Sequence, residues 1–159
     1  MSIKLYWCRG SGRNDSSLQN FGDYLSPIIV EILAGKKVSY SPVKKADLIA
    51  IGSVLAREKK AKILGIKRTL DIWGAGAGYP DEEFSAHHRY HAVRGEHTRS
   101  KIKNDAGCNT VLGDPGLLAE LYVDKSNIKK WRVGIIPHYV DQSDINLAEI
   151  VGSLKGSKI

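Results

Sequence analysis

Arg94 is the residue in this sequence best suited to bind a small anion. It closes the apolar run Ala92-Val93-Arg94-Gly95 and stands just ahead of Thr98-Arg99, a polar pair at an expected helix start. A planar guanidinium beside hydroxyl and backbone donors suits a carboxylate or a phosphate, which it grips in a bidentate fork. Pairing of Arg94 with Glu96 or Asp114 inside the sheet edge is the structural alternative. Three small-residue turns could share the same anion: Asn20-Phe21-Gly22-Asp23, Gly52-Ser53, and the run from Gly74 through Gly76 to Gly78. Each follows or flanks an apolar segment. Ligands of open α/β sheets sit outside the carboxyl ends of the strands, where backbone N–H groups and helix starts receive negative charge.

Other chemistries are weaker. The glycine run is spaced G-A-G-A-G rather than G-x-G-x-x-G and comes after the third apolar strand, which argues against a dinucleotide site. His87 and His91 stand four apart, yet no Cys, Asp or Glu completes a zinc set at a recognisable spacing, so neither metal nor cofactor is expected. Ser53 lacks the G-x-S-x-G elbow of a nucleophile. His138 follows the run Val133 to Pro137 and is placed at the carboxyl end of that expected strand, facing the same cleft. The basic stretch Arg57 to Arg68 contains no aromatic residue to stack on a base, which argues against nucleic acid.

The elements that would position these residues read as α/β. Ile3 to Cys8 is an expected strand, and Asn20 to Gly35 a capped helix with Leu25, Ile28, Ile29, Ile32 and Leu33 at helical spacing. Asp47 to Gly52 carries the buried run Leu48 to Ile51. Val54 to Gly65 is expected to be a helix or a helical loop, Thr69 to Trp73 a strand, His91 to Arg94 a strand, Thr98 to Ala106 a helix, Thr110 to Leu112 a strand and Gly116 to Leu121 a helical turn. Continuous apolar strands ending in glycine predict a Rossmann-like parallel sheet covered by helices on both faces. Residues 1–122 form this domain, 123–130 a polar linker, and 131–159 the start of a second α/β unit, with a strand over Arg132 to Pro137 and an amphipathic helix over Asp144 to Leu154.

The chain has 159 residues with a net charge of +7. Residues 1–80 hold 13 Lys/Arg against 6 Asp/Glu, whereas residues 81–159 hold 11 of each, so the whole excess falls in the first half. That half would draw anions: a phosphorylated small molecule or an anionic membrane surface. The longest apolar stretches, such as Pro27 to Ala34, fall well short of the ~20 residues of a spanning helix. Cys8 and Cys108 have no partner spacing and are expected as reduced thiols of a cytoplasmic protein.

Taken in order, six motifs carry a resemblance. They are Asn20 to Asp23, Ala46-Asp47 leading to Gly52-Ser53, Trp73 to Gly76, Ala92 to Gly95 with Thr98-Arg99, Gly113-Asp114-Pro115, and Val133 to Asp141. Together they resemble the polysaccharide pyruvyl transferase family. The resemblance implies the N-terminal half of a GT-B-like arrangement. It also implies transfer of a pyruvyl group from phosphoenolpyruvate to a saccharide of a surface polysaccharide or its lipid-linked precursor, at the inner face of the membrane. Arg94 is similar to the arginine that would hold the phosphoenolpyruvate anion, and the Asn20–Asp23 and Gly74–Gly76 loops look like cleft-lining elements. The family's later Ser-x-x-His-Gly-like segment, expected to move a proton, does not occur here. The resemblance therefore implies a donor-binding part without the catalytic C-terminal part, whose bare face a second copy or a partner chain would cover. A non-catalytic docking module of a polysaccharide biosynthesis complex is the alternative, ahead of a glycosyltransferase-like or nucleic-acid-binding protein.

Overall fold

The computed structural model describes residues 2–9, 20–123, 128, 134, 136 and 145–156. Its centre is a six-stranded sheet built from β1 (Ile3–Tyr6), β2 (Val38–Tyr40), β3 (Leu48–Ile49), β6 (Asp71–Trp73), β7 (Arg89–Val93) and β8 (Val111–Leu112). A separate antiparallel hairpin joins β4 (Lys62–Ile63) to β5 (Ile66–Lys67). The sheet order is β2-β1-β3-β6-β7-β8, and every pairing in it is parallel. This is the parallel α/β sheet expected from the sequence, consistent with a Rossmann-like fold, its order beginning 2-1-3 rather than the 3-2-1 of dinucleotide-binding sheets. The order reverses between β1 and β3, and a crevice opens outside the strand ends at such a switch point.

Strand periodicity explains the two cores. Successive side chains of a strand point to opposite faces, and Ile49 and Ile72 enter one cluster with Leu55, Leu70, Phe84 and Val93. Leu48, Ala50 and Trp73 enter the other with Leu5 and Val30. Helix α1 (Phe21–Ala34) covers the second face, burying Ser26, Ile29 and Val30. Its ends follow the expected chemistry. The Asn20 side chain accepts a hydrogen bond from the Asp23 N–H, and Gly35 closes the helix in the left-handed conformation at φ 59°.

Several expectations are corrected. Residues 54–65 are not one helix: a 3₁₀ segment, Leu55–Lys60, leads into the β4–β5 hairpin, because Leu64-Gly65 makes a tight turn that lysine-rich flanks do not announce. The helix expected over 98–106 is only α2 (Glu96–Arg99) followed by a 3₁₀ turn, Lys103–Asp105, with Asn104 at φ 57°. Strand β2 escaped notice because Val38-Ser39-Tyr40 is short and mixed in polarity. The first face is therefore covered by 3₁₀ turns and loops rather than by full helices. The expected turn at 116–121 is a 3₁₀ segment, Pro115–Leu121, and it lies against α1. The helix expected over Asp144 to Leu154 is α3 (Ile145–Gly156). The strand expected over 132–137 and His138 lie outside the described residues, as does most of the 123–130 linker. No helix among the described residues is long and apolar enough to cross a membrane.

Candidate functional site

A cleft of about 360 Å³ lies at the switch point, outside the carboxyl ends of the strands. The segment after β1 contributes Cys8, the loop after β3 contributes Ile51 to Val54, and the residue after β7 is Arg94. The start of α1 contributes Asn20, Gly22 and Asp23, the segment after β3 adds Arg57, and the loop after β8 adds Asp114. Of the residues singled out from the sequence, Asn20, Gly22, Asp23, Gly52, Ser53 and Arg94 line this one cleft.

Arg94 follows the last residue of β7. Its Nη2 donates to Ser53 Oγ at 2.8 Å and to the Ala77 carbonyl at 3.2 Å. Glu96, its expected alternative partner, is instead paired with Arg99 at 2.6 Å, and Asp114 Oδ1 accepts from the Gly116 N–H at 2.8 Å. Among the described residues Arg94 has no carboxylate within ion-pair distance. The guanidinium is thus anchored by neutral groups through one nitrogen, leaving its remaining N–H groups to receive an anion.

The glycines make this packing possible. A β-carbon on Gly76 would overlap Arg94 Nε, Cζ and Nη2, and one on Gly52 would fall 2.5 Å from Asp23 Oδ1. Gly52 also holds φ 114°, a region closed to ordinary side chains. Gly74, at φ 88°, lies against the Pro115 ring and does not line the cleft. Thr98 is buried below the glycine run, where its Oγ1 accepts from the Ala77 N–H at 3.0 Å and so holds the carbonyl that orients Arg94. Arg99, engaged by Glu96, is not brought into the cleft.

Asp23 is the titratable group most altered by the site. Burial pushes its carboxyl above the ordinary range, against the opposing pull of a hydrogen bond from the Cys8 thiol and of the Arg94 charge. The helix start and the Ser26 hydroxyl, which accepts from the Ile51 N–H at 3.2 Å, lock α1 to the loop after β3. Sequence reading missed Cys8, Arg57 and Asp114. The first and last stand two residues past the ends of β1 and β8, so the rule that ligands gather at carboxyl ends could have found them.

No family model matches the chain, and no solved structure matches it. It is similar to the uncharacterized protein L143 of Acanthamoeba polyphaga mimivirus, with 31% identity over 137 residues, covering 78% of this chain and 43% of the relative. The chain spans less than half the length of that relative. The relative's name carries no chemistry, so the reading of the cleft rests on its geometry.

The histidines serve other purposes. His87 Nε2 meets Thr69 Oγ1 at 3.2 Å, and His91 Nε2 meets Asp71 Oδ1 at 2.7 Å. Asp71 also receives Arg89 through two hydrogen bonds of 2.7 and 2.6 Å, which hold its carboxyl below the ordinary range. No cluster of three His, Cys, Asp or Glu side chains suited to a metal occurs among the described residues. Cys8 and Cys108 are free thiols.

Proposed function

We propose that the switch-point cleft binds phosphoenolpyruvate and that the chain supplies the donor side of a polysaccharide pyruvyl transferase-like reaction. The observation that carries this reading is Arg94: a guanidinium anchored by Ser53 and Ala77, free of any carboxylate partner among the described residues, at the crevice of a parallel sheet. Phosphoenolpyruvate carries a carboxylate and a phosphate on one small carbon frame. The cleft of about 360 Å³ is lined by two arginines, Arg94 and Arg57, one for each anionic group of such a donor.

The reaction joins the enolpyruvyl carbon to two hydroxyls of a saccharide. The methylene takes a proton and becomes a methyl group, the two oxygens bond to the central carbon, and inorganic phosphate leaves with the remaining proton. Asp23, held toward its protonated form by burial, is the cleft group fit to exchange a proton with the donor. A second α/β unit closing over the cleft in GT-B fashion would exclude water and present the acceptor, a saccharide or its lipid-linked precursor.

Calorimetric titration of the chain with phosphoenolpyruvate, inorganic phosphate, pyruvate and a nucleoside diphosphate tests the donor assignment. Phosphoenolpyruvate should bind more tightly than phosphate or pyruvate, and Arg94→Ala should weaken it about tenfold or more. Preference for the nucleotide, or binding unchanged by Arg94→Ala, would overturn the reading. Incorporation of labelled pyruvate into a saccharide acceptor tests the transfer itself.

A further inference from the structure

The β4–β5 hairpin has a tip that neither packing nor local conformation explains. Leu64 is 97% exposed, Ile66 73% and Ile63 43%, so three adjacent aliphatic side chains project together into solvent. The two turn residues both have positive φ, 50° at Leu64 and 80° at Gly65. That is the signature of a type I′ turn, which favours Asn-Gly or Asp-Gly. A leucine there is both conformationally costly and unburied.

Around this tip the charge is of one sign. Lys59, Lys60, Lys62 and Lys67 are exposed, and no carboxylate lies between residues 59 and 67. Glu58, the nearest acid in sequence, is buried and turned inward, where it accepts from the Ser85 N–H at 3.2 Å and meets His88 Nε2 at 2.6 Å. Beside the hairpin a cavity of about 580 Å³ is lined by Lys59, Lys67, His87 and Lys103, and its one exposed acid, Glu83, is neutralised by Lys103 at 2.8 Å.

We propose that this hairpin docks the protein on an anionic phospholipid bilayer. Leu64 and its two isoleucine neighbours enter the interfacial region, the lysines meet the lipid phosphates, and the lysine-lined cavity seats one headgroup. An apolar tip inside a basic collar is the pairing that such a surface selects, since neither the apolar term nor the charge term alone holds a soluble domain there. Placement supports the orientation. Arg68, at the base of the hairpin, bonds to the Lys44 carbonyl at 3.2 Å and to Asp47 at 3.1 Å, just ahead of β3. The hairpin therefore sits at the amino ends of the strands, and docking leaves the cleft at their carboxyl ends open. The inference stands independently of what the cleft binds.

The test is co-sedimentation of the chain with vesicles of phosphatidylserine and phosphatidylcholine, compared with phosphatidylcholine alone. Binding is expected only to the anionic vesicles and should weaken with salt. Lys62→Glu with Lys67→Glu should reduce it by more than about tenfold, at about fivefold per lysine. Leu64→Asn should reduce it by about tenfold while leaving thermal stability equal or higher, because asparagine suits the left-handed turn. That combination separates docking from folding. Equal binding to neutral vesicles, no binding to either, or binding indifferent to Leu64→Asn would overturn the proposal. So would a hairpin-dependent dimer, or association with RNA or DNA stronger than with the anionic vesicles.

Discussion

The Arg94 guanidinium lies across Gly76, and the missing side chain of that glycine is what makes room for it. The atoms that a methyl group would displace belong to the flexible end of an arginine, not to the backbone. Gly76→Ala should therefore leave folding stability within about 1 kcal/mol of the parent yet drive Arg94 out of its seat on Ser53. Anion affinity should fall about tenfold, matching Arg94→Ala, because a charge-assisted hydrogen bond is lost in both. Calorimetry read beside a thermal melt checks the dissociation of the two effects.

Gly74→Ala should behave in the opposite way. Its added methyl group would run into the Pro115 ring, and its backbone at φ 88° disfavours any side chain. The overpacking and the backbone strain together should cost at least about 2 kcal/mol. Urea unfolding would show the midpoint shift, with anion affinity of the folded fraction little changed.

How far the site was legible follows from these same residues. Asn20, Gly35 and the turn at Gly52 were readable because capping and positive φ impose residue types directly. Arg94 was readable because an arginine at the end of an apolar strand has few structural duties. Arg57 was not, because it sits in a lysine-rich segment where one more cation carries no signal. The hairpin at residues 62–67 was missed for a related reason: lysines flank helices and strands alike, and Leu64 is a residue that turn chemistry does not expect. Arg99 was assigned by adjacency to Thr98, but successive helical residues face different directions, and Arg99 turns to Glu96 instead.

The buried Glu58–His88 contact yields a sharper stability test. Their side chains are only 4% and 3% exposed. The Leu70 N–H donates to His88 Nδ1 at 3.2 Å, which requires that Nε2 carry the proton and donate to Glu58. The other Glu58 oxygen accepts from the Ser85 N–H at 3.2 Å. Two donors thus aim at two acceptor oxygens. Glu58→Gln is nearly isosteric yet offers one acceptor and one donor, so one buried N–H must face another. It should destabilise the fold by about 1–3 kcal/mol, the cost of an unsatisfied buried donor. Urea denaturation with near-unchanged stability in Glu58→Gln would contradict the donor assignment.

Asp23 gives the cleft a pH dependence whose sign follows from burial. Its carboxyl titrates above the ordinary value of 3.8, and Arg94 is near enough to feel its charge. Below that raised pKa the group is neutral and the arginines act unopposed. As pH rises through it, a carboxylate appears beside Arg94 and competes with any bound anion. Sulfate, whose own charge is constant over this range, should therefore bind more tightly in mild acid and progressively less tightly as pH rises through the Asp23 titration. The same linkage acts on folding: the cost of the buried carboxylate is absent below the unfolded pKa and fully present above the folded one. Asp23→Asn should flatten the sulfate profile and hold the affinity near its acid value, since a neutral amide replaces the carboxyl. A sulfate titration series across the acid range, run on both proteins, makes the comparison; a parent profile that rises with pH, or a variant that keeps the parent's slope, would remove Asp23 from the anion site.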